Sequence, residues 1–252
     1  MTDADVEEAE TGRSFSGASR EALWLDQPAP SVTCVIPALN EAENIGHVLQ
    51  RIPAWVEEVI VVDGGSVDGT PQVARRARPG VRVIQQGGRG KGNALSDGCW
   101  AATCDVIVML DADGSTDPGE IPRYLAALRT GADFAKGSRF AVGGGSADIT
   151  RIRKLGNRGL AMMVNRIWRT NYSDLCYGYN AFWRRTLPDL HLDSPGFEVE
   201  TCLNIRAAVA GLRIVEVPSF EASQMSGVSN LNARRDGTRV LRAILAEWLR
   251  PR

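Results

Sequence analysis

The stretch VIVMLDADGSTDP, residues 106–118, joins an apolar run to two aspartates one residue apart, Asp111 and Asp113. An apolar run that ends in acids and a glycine predicts a strand followed by a polar turn. Neighbouring carboxylates repel each other and lose their water at a cost unless a positive charge lies between them. Either the two aspartates stand in solvent at the end of this strand, or they hold a cation.

The spacing of the two aspartates discriminates between kinds of cation site. In an EF-hand loop beginning at Asp111, the fifth position would be Ser115, and the closing Glu would fall on Pro122, which has no carboxylate. Two hard oxygen ligands directly after a strand instead suit Mg²⁺ or Mn²⁺ that also contacts phosphate oxygens. Asp111 and Asp113 are therefore candidate metal ligands.

The same order of strand, polar turn and helix recurs through the first half of the chain. Strands are predicted at residues 31–36 and 58–62, in VRVIQQ and in DVIVMLDADG, and helices begin near Asn40, near Asp68 and after GGRGKG. This alternation predicts a doubly wound α/β fold with a mostly parallel sheet. Such sheets bind ligands beyond the carboxyl ends of their strands. We therefore expect three polar clusters to meet at one edge: Pro37–Glu41, Asp63–Asp68 and Asp111–Asp113.

The composition bounds the class of protein. The chain has 252 residues, of which 44% are hydrophobic and 23% charged, which suits one compact α/β domain. A net charge of −1 gives no global reason to expect a nucleic-acid partner. Residues 1–28 carry seven acids against two arginines and few bulky apolar side chains, so we predict a disordered acidic lead. The core domain is predicted over residues 29–231, with an amphipathic helix over 232–252 packed on it or appended to it.

Targeting signals and cysteines indicate the compartment. The acidic N-terminus lacks the apolar segment of a signal peptide. The apolar runs at 58–62 and 105–110 are shorter than the roughly 20 residues that span a bilayer. The five cysteines form no CxxC pair. We expect a cytoplasmic protein.

An ordered set of motifs resembles a known family. The motifs are VIPALNE, VVDGGSVDGT, GKGNAL, MLDADGSTDP, GSRF, YGYNAFWRR, and EVPSFE followed by GVSNL. In this order the chain resembles the family 2 glycosyltransferases, nearest to the dolichol- and polyprenol-phosphate mannose synthases. The resemblance implies a GT-A fold, a Rossmann-like three-layer sandwich with a mostly parallel central sheet. It also implies a metal-dependent inverting enzyme that moves a hexose from a nucleotide sugar, of GDP-mannose or UDP-glucose type, to polyprenyl phosphate.

The resemblance assigns roles to individual residues. It implies that the nucleotide sugar contacts residues from all three polar clusters and Lys91: Pro37, Leu39, Glu41, Asp63, Gly64, Lys91, Asp111 and Ala112. Asp111 and Asp113 would ligate Mg²⁺ or Mn²⁺, with Asp113 catalytic, and Arg139 would face the donor or acceptor phosphate. From the residues alone, GGRGKGNAL is either a tight turn opening a helix or a contact of Lys91 with an anion. Asp68 is a natural cap for the helix that follows it.

The need for a general base depends on the acceptor. A phosphate monoester has a second pKa of about 6, so its oxygen is already anionic and needs no base. A hydroxyl acceptor needs a carboxylate to take its proton. The position of Glu200 resembles that of the acidic residue that acts in catalysis in hydroxyl-transferring relatives. Alternatively, Glu200 only stabilises a helix N-terminus. Two acceptors therefore stay open: polyprenyl phosphate, and a hydroxyl of a soluble small molecule with Glu200 as base.

Two segments depart from the family pattern. Ser115 stands where relatives often have Gln, and Gln224, Met225 and Ser226 provide no cation where lipid-phosphate enzymes commonly carry Arg. These departures leave a further alternative, a non-catalytic protein that binds nucleotide sugar. The glycine-rich segment 140–150 is predicted to be a loop that closes over the donor.

Two basic amphipathic segments indicate contact with a membrane surface. Residues 151–169 carry six basic side chains and no acid, and the chain from Arg234 onward carries six arginines and two acids. Basic amphipathic helices lie on anionic lipid. Alternatively their apolar faces cover the sheet, or the first helix binds the acceptor phosphate. Peripheral contact at the inner face of the membrane is thus an expectation alongside the cytoplasmic location.

Overall fold

The computed structural model describes residues 29–227 and 233–250. The acidic segment 1–28 and most of the GVSNL motif lie outside the described residues. We therefore retain as proposals the acidic lead and the boundaries of the core domain and C-terminal helix.

A seven-stranded sheet forms the centre of the molecule. The strands are β1 (Val32–Ala38), β2 (Glu58–Asp63), β3 (Arg82–Gln85), β4 (Val106–Met109), β5 (Phe134–Ser138), β6 (Gly145–Ser146), β7 (Asn180–Trp183), β8 (Ile214–Pro218) and β9 (Phe220–Glu221). The sheet order is β3-β2-β1-β4-β7-β5-β8, while β6 and β9 pair separately. Among the described strands, β7 runs antiparallel to both of its neighbours, and the other pairings are parallel.

Helices pack on both faces of this sheet. They are α1 (Ile45–Arg51), α2 (Thr70–Ala77), α3 (Lys91–Ala101), α4 (Ile121–Arg129), α5 (Arg151–Trp168), α6 (Leu187–Leu190), α7 (Val199–Val209) and α8 (Ala233–Leu249), with 3-10 turns at Pro118–Glu120 and Arg184–Thr186. Ile45, Leu49 and Tyr124 bring α1 and α4 into one core, and Leu95 and Leu203 bring α3 and α7 into the other. β1 and β4 lie between these layers, which is why their sequences are almost continuously apolar. The predicted three-layer fold with a mostly parallel sheet is confirmed.

Two helices begin later than the sequence pattern predicts. α1 begins at Ile45 and not near Asn40, because Asn40 has a φ of 56° and turns the chain out of the helical conformation. α2 begins at Thr70. Asp68 lies before it, and its Oδ1 accepts a hydrogen bond from the backbone N of Thr70 at 3.0 Å. Asp68 therefore serves the turn that opens this helix.

Helices α5 and α8 lie beside the sandwich. Ala161 packs in a third apolar cluster with Ile205 of α7 and with Val240 and Ile244 of α8, and this cluster touches the sheet at Ile214 of β8. The alternative in which both apolar faces cover the sheet therefore holds only at this edge. No helix in the described ranges is both long enough and apolar enough to cross a bilayer.

The glycine-rich segment 140–150 is not wholly a loop, because it contains β6. The backbone N of Gly145 donates to the carbonyl oxygen of Ser219 at 3.1 Å, and that of Ala147 donates to Glu221 at 2.8 Å. These bonds tie the segment to the chain that follows β8. Its closure over a donor stays a prediction.

Candidate active site

Three neighbouring strands end at one edge of the sheet. β1 pairs in parallel with β2 and with β4, and Ala38 lies opposite Asp63 in the register. The sheet order reverses direction at β1 and β4, and open α/β sheets form ligand crevices at such a switch point. A cleft of about 690 Å³ opens at this edge. The first and third polar clusters meet there, as predicted.

Most of the predicted site residues line this cleft: Pro37, Leu39, Glu41, Lys91, Asp111, Ala112, Asp113, Arg139 and Glu200. Asp63 and Gly64 do not belong to the described lining. Asp63 accepts hydrogen bonds from the backbone N of Gly65 and of Ser66, each at 3.2 Å, so its carboxylate serves its own turn. A Cβ on Gly64 would lie 3.2 Å from the Cβ of Leu39, so Gly64 lets two loops approach closely. The nucleotide-binding roles of Asp63 and Gly64 stay predictions.

Lys91 forms the centre of an ionic network on the cleft floor. It is the first residue of α3, and its Nζ lies 2.6 Å from Oδ1 of Asp111 and 2.7 Å from Oε1 of Glu200. Burial alone would lower the pKa of Lys91, but the two carboxylates outweigh burial and raise the pKa above its usual value. Lys91 therefore stays charged at any physiological pH.

Glu200 lies in the first turn of α7 and is buried. Burial raises the pKa of Glu200, and Lys91 offsets part of this rise. The residue does stand at a helix N-terminus, as one alternative held, but its carboxylate also faces the cleft. Glu200 can hold Lys91 in place, and it can accept a proton.

Asp113 and Glu41 add two further carboxylates to the cleft. Burial and then the neighbouring Asp111 raise the pKa of Asp113, whose Oδ1 accepts a hydrogen bond from the backbone N of Ser115 at 2.9 Å. Burial and, more weakly, both aspartates also raise the pKa of Glu41. This residual repulsion is what a bound cation would relieve, so the donor set fits Mg²⁺ or Mn²⁺. The described residues assemble no cluster of three or more protein ligands, so substrate oxygens or water would complete the coordination.

The guanidinium of Arg139 is held by two acids. Its Nε and Nη2 donate to the carboxylate of Asp174 at 2.7 and 3.0 Å, and Nη1 donates to Glu221 at 3.0 Å. The ring of Tyr177 lies 4.9 Å from the guanidinium carbon. Although Arg139 lines the cleft, its charge is neutralised by these partners. The contact of Arg139 with a donor or acceptor phosphate, which the resemblance implies, stays a prediction.

The comparison with known families decides what kind of protein this is. The family model described as Glycosyl transferase family 2 matches residues 33–190. The chain belongs to glycosyltransferase family 2. It is accordingly an enzyme, and the resemblance stated from its motifs is confirmed.

Individual relatives agree with this family. Glycosyltransferase AglJ of Haloferax volcanii is 34% identical over 214 residues, which cover 83% of this chain and 70% of that protein. The undecaprenyl-phosphate mannosyltransferase of Micrococcus luteus is 34% identical over 233 residues, covering 86% of this chain and 96% of that protein. A crystal structure of Mycobacterium tuberculosis glucosyl-3-phosphoglycerate synthase with Mn²⁺, UDP and glucosyl-3-phosphoglycerate has a TM-score of 0.72 and 24% identity, covering 97% of this chain and 88% of that one. That structural similarity confirms the GT-A fold of this glycosyltransferase.

Gly178 is a site residue that the sequence analysis did not single out. It stands in YGYN, just before β7, and is buried beside the ionic network. A Cβ at this position would lie 3.0 Å from Oδ2 of Asp111, 3.0 Å from Nζ of Lys91 and 3.3 Å from Oε1 of Glu200. The sequence could have indicated Gly178 as a site residue only through its place inside the family motif YGYNAFWRR. A side chain at this position would therefore lie closer to the network than ordinary van der Waals contact.

Gly178→Ala should therefore disturb the network more than the fold. The added methyl group must displace Lys91, Asp111 or Glu200 by a few tenths of an ångström. Because a 1 Å misplacement of catalytic groups can cost about 10²-fold in rate, we expect kcat/KM for sugar transfer to fall by about tenfold, with a small change in melting temperature. Gly159→Ala is the matched control, since a Cβ on Gly159 meets open space. Equal activity of the two variants would contradict the prediction.

The segment 222–226, which lacks the expected cation, packs over the loop that holds the aspartates. The backbone N of Ala222 donates to Ser115 at 2.8 Å, and that of Met225 donates to Asp113 at 3.3 Å. Gln224 lines the cleft, and its Nε2 donates to the carbonyl oxygen of Ser226 at 2.8 Å. In this chain the segment therefore positions the DADG loop through its backbone.

Proposed function

We propose that this glycosyltransferase moves a hexose from a nucleotide sugar to polyprenyl phosphate, with inversion at the anomeric carbon. The observation that carries the proposal is the mixed lining of the cleft. The carboxylates and Lys91 share it with apolar side chains of α5, its preceding loop and α8: Ile149, Ile152, Leu160 and Val240. An apolar wall beside a charged site suits an acceptor that joins a phosphate to a hydrocarbon chain. The relative from Micrococcus luteus is named for such an acceptor.

Arg153 supplies the positive charge for the acceptor phosphate. Among the described residues that line the cleft, Lys91, Arg139 and Arg153 are cationic. Lys91 and Arg139 each contact two carboxylates, whereas Arg153 of α5 has one ion pair, with Asp148 at 3.3 Å. Arg153 also stands beside the apolar wall, one residue after Ile152. It compensates for the cation that is missing around Gln224.

The reaction follows from these positions. An oxygen of the acceptor phosphate attacks the anomeric carbon of the donor hexose, and the bond from that carbon to the diphosphate breaks, so the electron pair leaves with the nucleoside diphosphate. Asp111 and Asp113 would hold Mg²⁺ or Mn²⁺, which when bound neutralises charge on the leaving diphosphate. Lys91 holds the carboxylate of Asp111 in place through their ion pair. Because the acceptor oxygen is already anionic, no residue has to remove a proton.

The expected consequence for Arg153 is a weaker acceptor site. Arg153→Gln should raise KM for polyprenyl phosphate by about tenfold or more, since a charge-assisted hydrogen bond stabilises by about 1.5–3 kcal/mol. KM for the nucleotide sugar should stay within a factor of about two. Arg76→Gln, at an exposed position of α2 outside the described cleft lining, serves as the control. An unchanged acceptor KM in Arg153→Gln would show that the phosphate binds elsewhere.

A second candidate function rests on Glu200. Its buried carboxylate faces the cleft and has a raised pKa, as a general base for a hydroxyl acceptor requires. In that case the enzyme would glycosylate a soluble small molecule. The ion pair with Lys91 serves both functions, so the two candidates differ in whether a proton must be taken up.

Glu200→Gln separates the two candidates. If the acceptor is a phosphate, the variant loses about tenfold or less, because only the support of Lys91 is weakened, and the pH profile keeps its shape. If Glu200 is a base, the loss reaches about 10²–10⁴-fold and the acidic limb of the profile disappears. Glu198→Gln is the matched control, since Glu198 precedes the same helix and is not among the described cleft residues. Transfer would be followed by mass detection of the glycosylated acceptor.

A further inference from the structure

The outward face of α5 is apolar and basic at once. Ile152, Leu155 and Met162 are 77%, 73% and 64% exposed. Leu155, Arg158 and Met162 recur at helical spacing, so they share one side, opposite the buried Val164. A helix on a protein surface ordinarily presents polar residues to water. Packing of the core therefore does not explain why these three large apolar side chains lie on the surface.

All charged residues of α5 are basic. α5 contains five basic residues and no acid. Arg151, Arg158 and Arg166 make no salt bridge with any acid in the described part of the chain. Unpaired arginines between exposed apolar side chains are the pattern of a helix that lies in the headgroup region of an anionic bilayer.

The face is continuous with the cleft. Ile152 lies on the exposed side of α5 and also belongs to the apolar wall of the cleft, next to Ile149. We propose that the outward face of α5, formed by Arg151, Ile152, Leu155, Arg158, Met162 and Arg166, docks on an anionic lipid bilayer and directs the apolar wall of the cleft toward it. The proposal rests on the proposed function, because a lipid-linked acceptor gives the docked orientation its purpose.

Flotation of the full chain with lipid vesicles tests the surface without any acceptor. Vesicles of phosphatidylcholine with phosphatidylglycerol should bind the protein, vesicles of phosphatidylcholine alone should bind it at least about tenfold less, and added salt should weaken the binding. Leu155→Ser/Met162→Ser and Arg158→Glu should each lower binding by about tenfold or more. Trp100→Ser/Val209→Ser removes comparably exposed apolar side chains from the far ends of α3 and α7 and should bind like the unmodified protein.

Several outcomes would overturn the docking proposal. These are no binding by the unmodified chain, undiminished binding by Leu155→Ser/Met162→Ser, and binding that appears only after removal of residues 1–28, which would make the acidic segment the occupant. Loss of a dimer in Leu155→Ser/Met162→Ser, measured by sedimentation, would make a second copy the occupant. Vesicle binding is independent of transfer, so its failure is distinguishable from failure of the proposed function. Leu155→Ser/Met162→Ser should keep transfer to a short acceptor in detergent and lose it with acceptor embedded in vesicles.

Discussion

Asp113→Asn should lower kcat/KM for sugar transfer by about 10³-fold or more while leaving the fold at least as stable. A metal ion contributes several kcal/mol of charge stabilisation in the transition state, and each 1.36 kcal/mol is about tenfold in rate. Stability should not fall, because burial and Asp111 already make the charged form of Asp113 unfavourable. Removing the charge of Asp113 relieves its repulsion with Asp111 but also removes a candidate metal ligand.

Two measurements on Asp113→Asn make this result specific. Transfer is followed by mass detection, and thermal unfolding is followed on the same preparation. Asp189→Asn changes an exposed aspartate of α6 and should be neutral in both. Transfer within about tenfold of the unmodified enzyme, or a large loss of stability, would mean that Asp113 is not at the centre of the site.

Arg139→Met should have the largest effect on stability, lowering the free energy of unfolding by about 3–5 kcal/mol. Asp174 is completely buried, and without Arg139 its carboxylate loses two side-chain hydrogen bonds and one of its two neighbouring cations. Lys136 is the remaining buried cation near Asp174 among the described residues, but its Nζ donates to the carbonyl oxygen of Gly137. Arg158→Met, at an exposed position, should cost little.

The pH dependence of this loss has a definite sign. Burial alone would raise the pKa of Asp174, but the hydrogen bonds from Arg139 together with the charges of Lys136 and Arg139 outweigh burial and hold the pKa below its usual value. Asp174 therefore contributes stability above its unfolded pKa of about 3.9, and this contribution is lost as the pH falls through the lower folded value. In Arg139→Met the carboxyl can take up a proton more easily, so the deficit should narrow toward pH 4. A variant with normal stability and reduced phosphate affinity would instead support a phosphate contact.

Local patterns in the sequence predicted the parts of the fold that are locally encoded. Apolar runs that lead into polar turns correctly indicated β1, β2 and β4, and parallel pairing brings their ends to one edge regardless of side-chain detail. The start of α1 was missed because the left-handed conformation of Asn40 has no signature in apolar periodicity.

The partners of the site residues could not be predicted in the same way. Asp174 and Glu221 lie 35 and 82 residues after Arg139, so no spacing rule connects them. Gly178 lies beside Lys91 only because β7 returns antiparallel between β4 and β5. Motif resemblance located these segments, but only the packed structure shows which charges neutralise each other.

Transfer to a defined acceptor tests the proposed activity most directly. The enzyme would receive Mg²⁺ or Mn²⁺, GDP-mannose and UDP-glucose in parallel, and either a short polyprenyl phosphate or the matching polyprenol without phosphate. We predict a hexosyl polyprenyl phosphate from one of the donors, no product from the polyprenol, and none from Asp113→Asn. Donor binding without glycosylation of the lipid phosphate, together with transfer to a soluble hydroxyl compound, would contradict the proposal.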